Sequence, residues 1–190
     1  MYSDGNSIMR NMITNNGDGI YFWYSCHNNI IFEKDITTNE YGIRIERTSS
    51  SNNMICHNNF IGNTQNAYGG GGNTWYNGIL QQGNYWDTYD DPGEGAFDND
   101  SDGIADDPYP VPGGMSYDWY PLIHQFVLGD LNVDNVVDDA DIDPFVLALV
   151  NPMGYRNQYR MLPVLHDDCN QDGVLNAFDI DAFVQLLTGG

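Results

Sequence analysis

The sequence predicts a mainly β chain of stacked coils that ends in a small α-helical module. Three observations carry this. Apolar and asparagine positions recur every 23 or 24 residues through the first segment. Two acidic loops of twelve residues, 38 residues apart, each run into an apolar helix pattern. The acids are also crowded towards the second half. Of 27, 21 lie from Asp87 to Asp181, whereas all six basic residues (Arg10, Lys34, Arg44, Arg47, Arg156, Arg160) lie outside 48–155.

The 190 residues suffice for one medium domain or two small ones. A net charge of −21 leaves no basic patch for nucleic acid and disfavours an anionic membrane surface. Hydrophobic residues at 41% and aromatics at 13% argue against disorder. Cys26, Cys56 and Cys169 are an odd number without CxxC spacing, which supports neither a disulfide framework nor a zinc site. No apolar run reaches 18 residues, so membrane insertion is not expected. No signal-peptide pattern opens the chain. Its start, MYSDGNSIMRN, reads like the middle of a repeat, which is consistent with upstream coils or processing.

In the first segment Ile8, Ile31 and Ile55 stand in one register. So do Ile13, Ile36 and Phe60, and so do Asn16, Asn39 and Asn63. Gly19-Ile20 recurs as Gly42-Ile43. Alternating apolar runs bounded by Asn and Gly mean short strands and turns. Recurrence at one coil length means coils whose equivalent residues stack.

This pattern resembles the right-handed parallel β-helix repeat in its NosD-like form, over about residues 3–86. The resemblance implies about three coils, an inward Ile and Phe core, and stacked turn asparagines. The run NTWYNGILQQGNYWDTYDD resembles a closing segment, with Trp75, Tyr85 and Trp86 over the last coil. Domain 1-86 is therefore assigned to coils and closing strands. Some β-helices are polysaccharide lyases or epimerases, but these coils offer only Glu33, Lys34, Asp35, Arg44, Glu46 and Arg47, which read as a solvated strand face. His27 and His57 both sit in CHNN, but Cys26 and Cys56 are out of register. The histidines are expected in turns rather than on a metal.

Residues 87-128 form an acidic loop and an aromatic, proline-rich linker. FDNDSDGIADD places Asp98, Asp100, Asp102 and Asp106 with the spacing of the first part of a calcium loop. Alternate carboxylates converge on one ion because the chain wraps around it. Ile104 would add its carbonyl, and Asp106, Asp107 or the more distant Asp118 would close the shell, because the twelfth position is Tyr109. The spacing resembles loops found after NosD-like coils and in thrombospondin-type calcium repeats.

Residues 129-190 carry two copies of a stronger pattern. Asp130, Asn132, Asp134, Val136, Asp138 and Asp141 occupy positions 1, 3, 5, 7, 9 and 12 of an EF-hand-like loop. Asp168, Asn170, Asp172, Val174, Asn176 and Asp179 repeat them. The valines would contribute main-chain oxygen. Asp replaces the usual Glu at position 12, and Asn135 stands where Gly173 fills the turn in the second copy. Ile142, Phe145, Val146 and Leu149 then follow helical spacing, as do Ile180, Phe183, Val184 and Leu187. The intervening NPMGYRNQYRMLPVLHD is expected to hold a linking helix.

A loop-then-helix duplication without an entering helix resembles a type I dockerin. That resemblance implies two bound Ca²⁺, with a third expected at 98–107, and docking to a cohesin-like protein through loop positions 10 and 11. Those are Asp139 and Ala140, then Ala177 and Phe178, without the Ser-Thr pair common in dockerins of cellulosomes. The fold expectation is thus a mainly β right-handed parallel β-helix of about three coils with a closing segment, plus a small α-helical calcium-binding dockerin domain.

The first functional expectation is a non-catalytic, calcium-stabilised extracellular or cell-surface protein that self-associates head-to-tail into a homo-oligomer or filament. The alternatives are a dockerin module anchoring to a cohesin-type scaffold, and a truncated carbohydrate-active enzyme. Glycan contact is left open.

Overall fold

In a computed structural model the described residues are 3–46, 49–69, 71–100, 103–134, 136–159, 164–170, 172 and 174–188, without the side chains of 164 and 165. They form two compact units. The first joins 1–99 to 104–123, and the second joins 100–103 to 124–190.

The first unit is a solenoid of about three turns. Strands β1 (Ser7–Met9) and β2 (Met12–Thr14) pair in parallel with β4 (Ile30–Thr37), which pairs with β6 (Met54–Ile61). On another side β3 (Asp18–Phe22), β5 (Tyr41–Ile45) and β7 (Gln65–Gly69) pair in parallel. The pairing reproduces the expected register. Ile8 meets Ile31, which meets Ile55, and Ile13 meets Ile36, which meets Phe60. Ile31, Ile36, Ile43, Ile55 and Phe60 have no exposed surface. Gly42 recurs where coils approach most closely: a Cβ there would lie 2.3 Å from the carbonyl oxygen of Asn66.

Each corner has the same local construction. A residue with positive φ turns the chain, and the next residue points into a column. Asn28, Asn52, Thr38 and His57 adopt φ of 55°, 58°, 57° and 54°. They precede Asn29, Asn53, Asn39 and Asn58. Left-handed backbone at a non-glycine residue costs about 1–2 kcal/mol, and more for a β-branched one such as Thr38. The asparagines offset it. The backbone N–H and side-chain Nδ2 of Asn29 both donate to Asn53 Oδ1, at 3.0 and 2.8 Å. Asn6 donates likewise to Asn29, and Asn53 to Asn73. A second column runs Asn16, Asn39, Asn63. A third runs Asn58, Asn84, Asp118.

Lys34 holds the rung before Asn58 in that third column, paired with it across β4 and β6. The expectation of a solvated face fails here, because Lys34 is 1% exposed and its Nζ has no hydrogen-bond partner. The αL corner at Glu33 (φ 53°) explains this, since it turns the following side chain inward wherever it recurs. Asn58 Oδ1 is left without a donor as well. Burial pulls the Lys34 ammonium down to about 8. Of the other charges named for that face, Arg47 lies outside the described residues, Glu33 pairs with Arg10 at 2.6 Å, and Arg44 pairs with Glu46 at 2.9 Å.

The closing segment covers the last coil as expected. Trp86, on β8 (Tyr85–Trp86), stacks on Phe60 with centroids 4.3 Å apart, and Tyr109 stacks on Trp86 at the same distance. Trp75 and Trp86 are fully buried. Hairpin β9 (Tyr109–Val111) and β10 (Ser116–Asp118) delivers Asp118 to the end of the third column. The fully buried Asp118 accepts from Asn84 N (2.7 Å), Trp86 Nε1 (3.0 Å) and Tyr120 N (3.1 Å). A Cβ on Gly83 would overlap this carboxylate at 1.8 Å. Burial pushes the Asp118 carboxyl up to about 7, and its N–H donors hold it back.

The second unit contains α1 (Ile142–Val150), α2 (Pro152–Tyr159), α3 (Val164–Asp167) and α4 (Asp179–Leu187). The expected linking helix is α2, which opens on Pro152, a residue suited to the first helical turn. Phe145 of α1 stacks on Phe183 of α4 at 4.2 Å, with Ala148, Leu131 and Tyr155 around them. No described helix is long and apolar enough to cross a membrane.

Two stability predictions follow from these groups. Asp118→Ala strands three buried N–H donors and is expected to lower unfolding free energy by about 3 kcal/mol in urea titrations. Lys34→Asn supplies the missing rung and is expected to raise the melting temperature. The ordinary lysine value of 10.5 is lowered to about 8 in the fold, so wild-type stability carries the full cost below pH 8 and recovers as pH rises towards 10.5. The Lys34→Asn advantage should therefore be largest at pH 7 and shrink by pH 10.

Candidate functional site

The two acidic loops of the second unit are built alike. In the first, Asp141 is the strap: Oδ1 accepts from Leu131 N (2.7 Å) and Asn132 N (3.0 Å), and Oδ2 from Asp138 N (2.9 Å). In the second, Asp179 Oδ1 accepts from Asn170 N (3.1 Å), and Oδ2 from Asn176 N (2.8 Å). One carboxylate thus ties the start of each loop to its end. Asp130 Oδ1 accepts from Asp134 N, and Asp168 Oδ1 from Asp172 N. Asn132 and Asn170 accept from the same two amides. Asp134 and Asp172 accept from Val136 N and Val174 N. Position 9 accepts from the amide two residues on: Asp138 from Ala140 N, capping the 3-10 turn Asp139–Asp141, and Asn176 from Phe178 N.

The structure therefore gathers all twelve expected loop residues into two equivalent turns. Asp130, Asp141, Asp168 and Asp179 are buried in them, whereas Asp134, Asp138 and Asp172 are exposed. Asn135 and Gly173 lie outside the described residues. Sequence reasoning missed two neighbours. Tyr155 of α2 donates its hydroxyl to the Leu131 carbonyl at 2.8 Å, fixing the first loop against the helices. Asp167 is fully buried, and both its carboxylate oxygens lack a hydrogen-bond partner. Its position directly before Asp168 in an acid pair was the available signal.

A buried carboxylate without donors is relieved either by a proton or by a nearby cation, and burial, with Asp179 close by, pushes the Asp167 carboxyl up to about 8. The donor chemistry, carboxylate, amide and carbonyl oxygen, suits a hard ion such as calcium. Cys169 beside the second loop offers no thiolate, since it is buried and its thiol is pushed up to about 12.

The 98–107 segment is divided differently. Asp98, Ile104, Asp106 and Asp107 belong to the solenoid unit, and Asp100 to the other. Asp102 lies outside the described residues. Asp106 Oδ2 accepts from Asn99 N at 2.9 Å, and Ile104 bridges to Leu122. The Asp107 carbonyl accepts from the Tyr89 hydroxyl at 3.3 Å. Asp118 is corrected as a closing ligand, because its oxygens are taken by Asn84, Trp86 and Tyr120. Among the described residues, the three acids whose oxygens lie within 4.8 Å of one another are Asp90, Asp91 and Glu94, in the closing segment.

The helix faces also need correction. Phe145 and Phe183 point inward as expected, but Ile142, Val146, Ile180 and Val184 are exposed. The seam between the helices is centred on Phe145, Ala148 and Phe183, and a nine-residue helix buries one narrow stripe. Residues 142 and 146 fall outside it, and 180 and 184 fall outside it in the same way. Phe178 is 79% exposed, so it is not a packed helix-start residue.

The family described as Periplasmic copper-binding protein (NosD) matches residues 1–91. No curated protein and no solved structure matches the chain. The match and the coil register together support a β-helix in this part of the chain. Copper is named in that family's description, and copper prefers thiolate, thioether or imidazole donors. Here the described imidazoles and thiols are engaged or buried, whereas the thioethers of Met9 and Met12 are exposed on the first coil. His27 Nδ1 lies 3.1 Å from Ser51 Oγ, and His57 Nε2 lies 3.1 Å from Gln82 Oε1. Burial holds His57 down at about 4 and pushes Cys56 up to about 12. His57 occupies a corner in register with Glu33, so the two CHNN runs sit at different places in the coil. Among the described residues the histidines and cysteines of the coils do not gather into a three-donor group.

Truncating the strap tests the loop geometry. Asp141→Ala leaves three N–H groups without an acceptor and should cost about 3 kcal/mol of second-unit stability, read by thermal melting of the helical circular dichroism signal.

Proposed function

We propose that this chain is a non-catalytic, extracytoplasmic assembly protein in which a dockerin-like, calcium-folded unit tethers the β-helix to a protein partner. The observation that carries this reading is the exposed pair Ile142 and Val146 on α1, matched by Ile180 and Val184 on α4. Apolar side chains left in water at equivalent places on two related helices mark a docking face. Phe178, at loop position 11, adds a ring beside the second copy. The outward charges of the coils support a non-catalytic role, since Arg10, Glu33, Arg44, Asp18 and Glu46 are consumed in mutual ion pairs.

In this reading Asp130, Asn132, Asp134, Asp138 and Asp141 with the Val136 carbonyl hold one Ca²⁺. Asp168, Asn170, Asp172, Asn176 and Asp179 with the Val174 carbonyl hold another. The ion supplies charge neutralisation, so binding energy becomes folding energy. Extracellular calcium modules bind with dissociation constants on the order of 10⁻⁴–10⁻³ M, which fits a site outside the cytoplasm. The description of the matching family as periplasmic is compatible with that location.

Two measurements test the reading. Excess chelator should abolish the helical ellipticity of the second unit and leave the β signal of the solenoid. Retained helicity would refute calcium-dependent folding. In calcium, gel filtration with purified cohesin-type modules should show a complex that Ile142→Asp with Val184→Asp dissolves. Negative-stain filaments of the chain alone, sensitive to the same double change, would favour head-to-tail self-association instead.

A further inference from the structure

The outer face of the β3–β5–β7 sheet carries a continuous ribbon of rings that the docking reading does not use. Tyr21, Arg44 and Tyr68 share one outward row across the three strands. Tyr41 sits in the next row, in register with Asp18. Trp23 packs edge-on against Tyr21 with centroids 5.4 Å apart. The guanidinium of Arg44 lies 5.3 Å from the Tyr21 ring centre and 4.8 Å from that of Tyr41. Tyr41 meets Tyr68 edge-on at 6.4 Å. The ribbon therefore runs unbroken from Trp23 to Tyr68, across strands spaced about 4.8 Å apart. Its ends are open to water, Trp23 being 55% and Tyr68 37% exposed.

The polar groups in this ribbon are already balanced. Arg44 lies 3.6 Å from Asp18 and 2.9 Å from Glu46, and the Tyr21 hydroxyl donates to Glu46. We propose that this face binds a neutral polysaccharide lying along the coil axis. Sugar rings present apolar C–H faces that pack on aromatic rings, and hydroxyls that bond to carboxylates and phenols at the ribbon's edge. Rings held in place by one another lose little entropy on binding. Acidic glycans are disfavoured, because two carboxylates outnumber the single guanidinium and the chain carries −21. A protein partner would anchor on Arg44, but that group is saturated by two acids and two rings. The proposal is independent of calcium and of the second unit's docking face.

Affinity electrophoresis of the full chain tests it, with hydroxyethylcellulose, xylan or galactomannan in the gel and polygalacturonate as the acidic control. At least one neutral gel should retard the chain. Trp23→Ala should weaken retardation about tenfold. Trp23→Phe should keep most of it, and the melting temperature of both variants should match the wild type. Three results would overturn the proposal: no retardation in any neutral gel, retardation in polygalacturonate alone, or retardation unchanged in Trp23→Ala with Tyr68→Ala. A fall in sedimentation coefficient of that double variant without glycan would also overturn it, assigning the face to contacts between copies.

Discussion

One hydrogen-bonded unit underlies the solenoid: a corner asparagine whose Oδ1 accepts two N–H groups from the preceding coil. The turn that places it requires left-handed backbone, which by itself is unfavourable at residues such as Thr38 and Glu33. The asparagine turns that local cost into an inter-coil bond buried from water, where an amide pair is worth more than at the surface. Apolar columns such as Ile13, Ile36 and Phe60 then fill the interior, at positions the corners have fixed. Hydrophobic burial supplies most of the energy, and the asparagines supply the register.

That division explains what could be read in the sequence. The columns of Ile8, of Ile13 and of Asn16 were legible because identical residues recur at identical spacing. Lys34 was misjudged because charge suggested solvent, although 11, 34 and 58 keep the coil period and are occupied by Asn, Lys and Asn. Position in the period decides burial there, and chemistry does not. Asp118 was legible as an acid but not as a rung, since it reaches the column through a hairpin outside the repeat. In the second unit the two loops were legible as equivalent turns at their described positions, because one carboxylate ties the start of each to its end. The helix faces were less so. Four apolar residues at helical spacing describe a stripe wider than a nine-residue helix can bury, and periodicity alone does not say which edge stays wet.

The two units handle acid in opposite ways. Apart from the buried Lys34, the described coils carry ion pairs on the outside, and the closing hairpin buries the carboxylate of Asp118 among N–H donors. The loop–helix unit buries several carboxylates around backbone amides and leaves Asp167 undonated. In the first arrangement N–H donors of the chain itself satisfy the buried acid. In the second, Asp141 and Asp179 serve as acceptors that tie each loop's start to its end.

The columns also have a direction. Each rung presents its acceptor to the coil before and donors to the coil after, so every added coil regenerates the same end. Such a column is a linear polymer that grows by whole repeats and does not count them. What stops it is a residue that accepts and cannot pass a donor on, and a carboxylate is that residue. Asp118 thus acts as a chain terminator for the third column. The number of coils is free to change by duplication behind it, while the closing hairpin and everything beyond it remain the same.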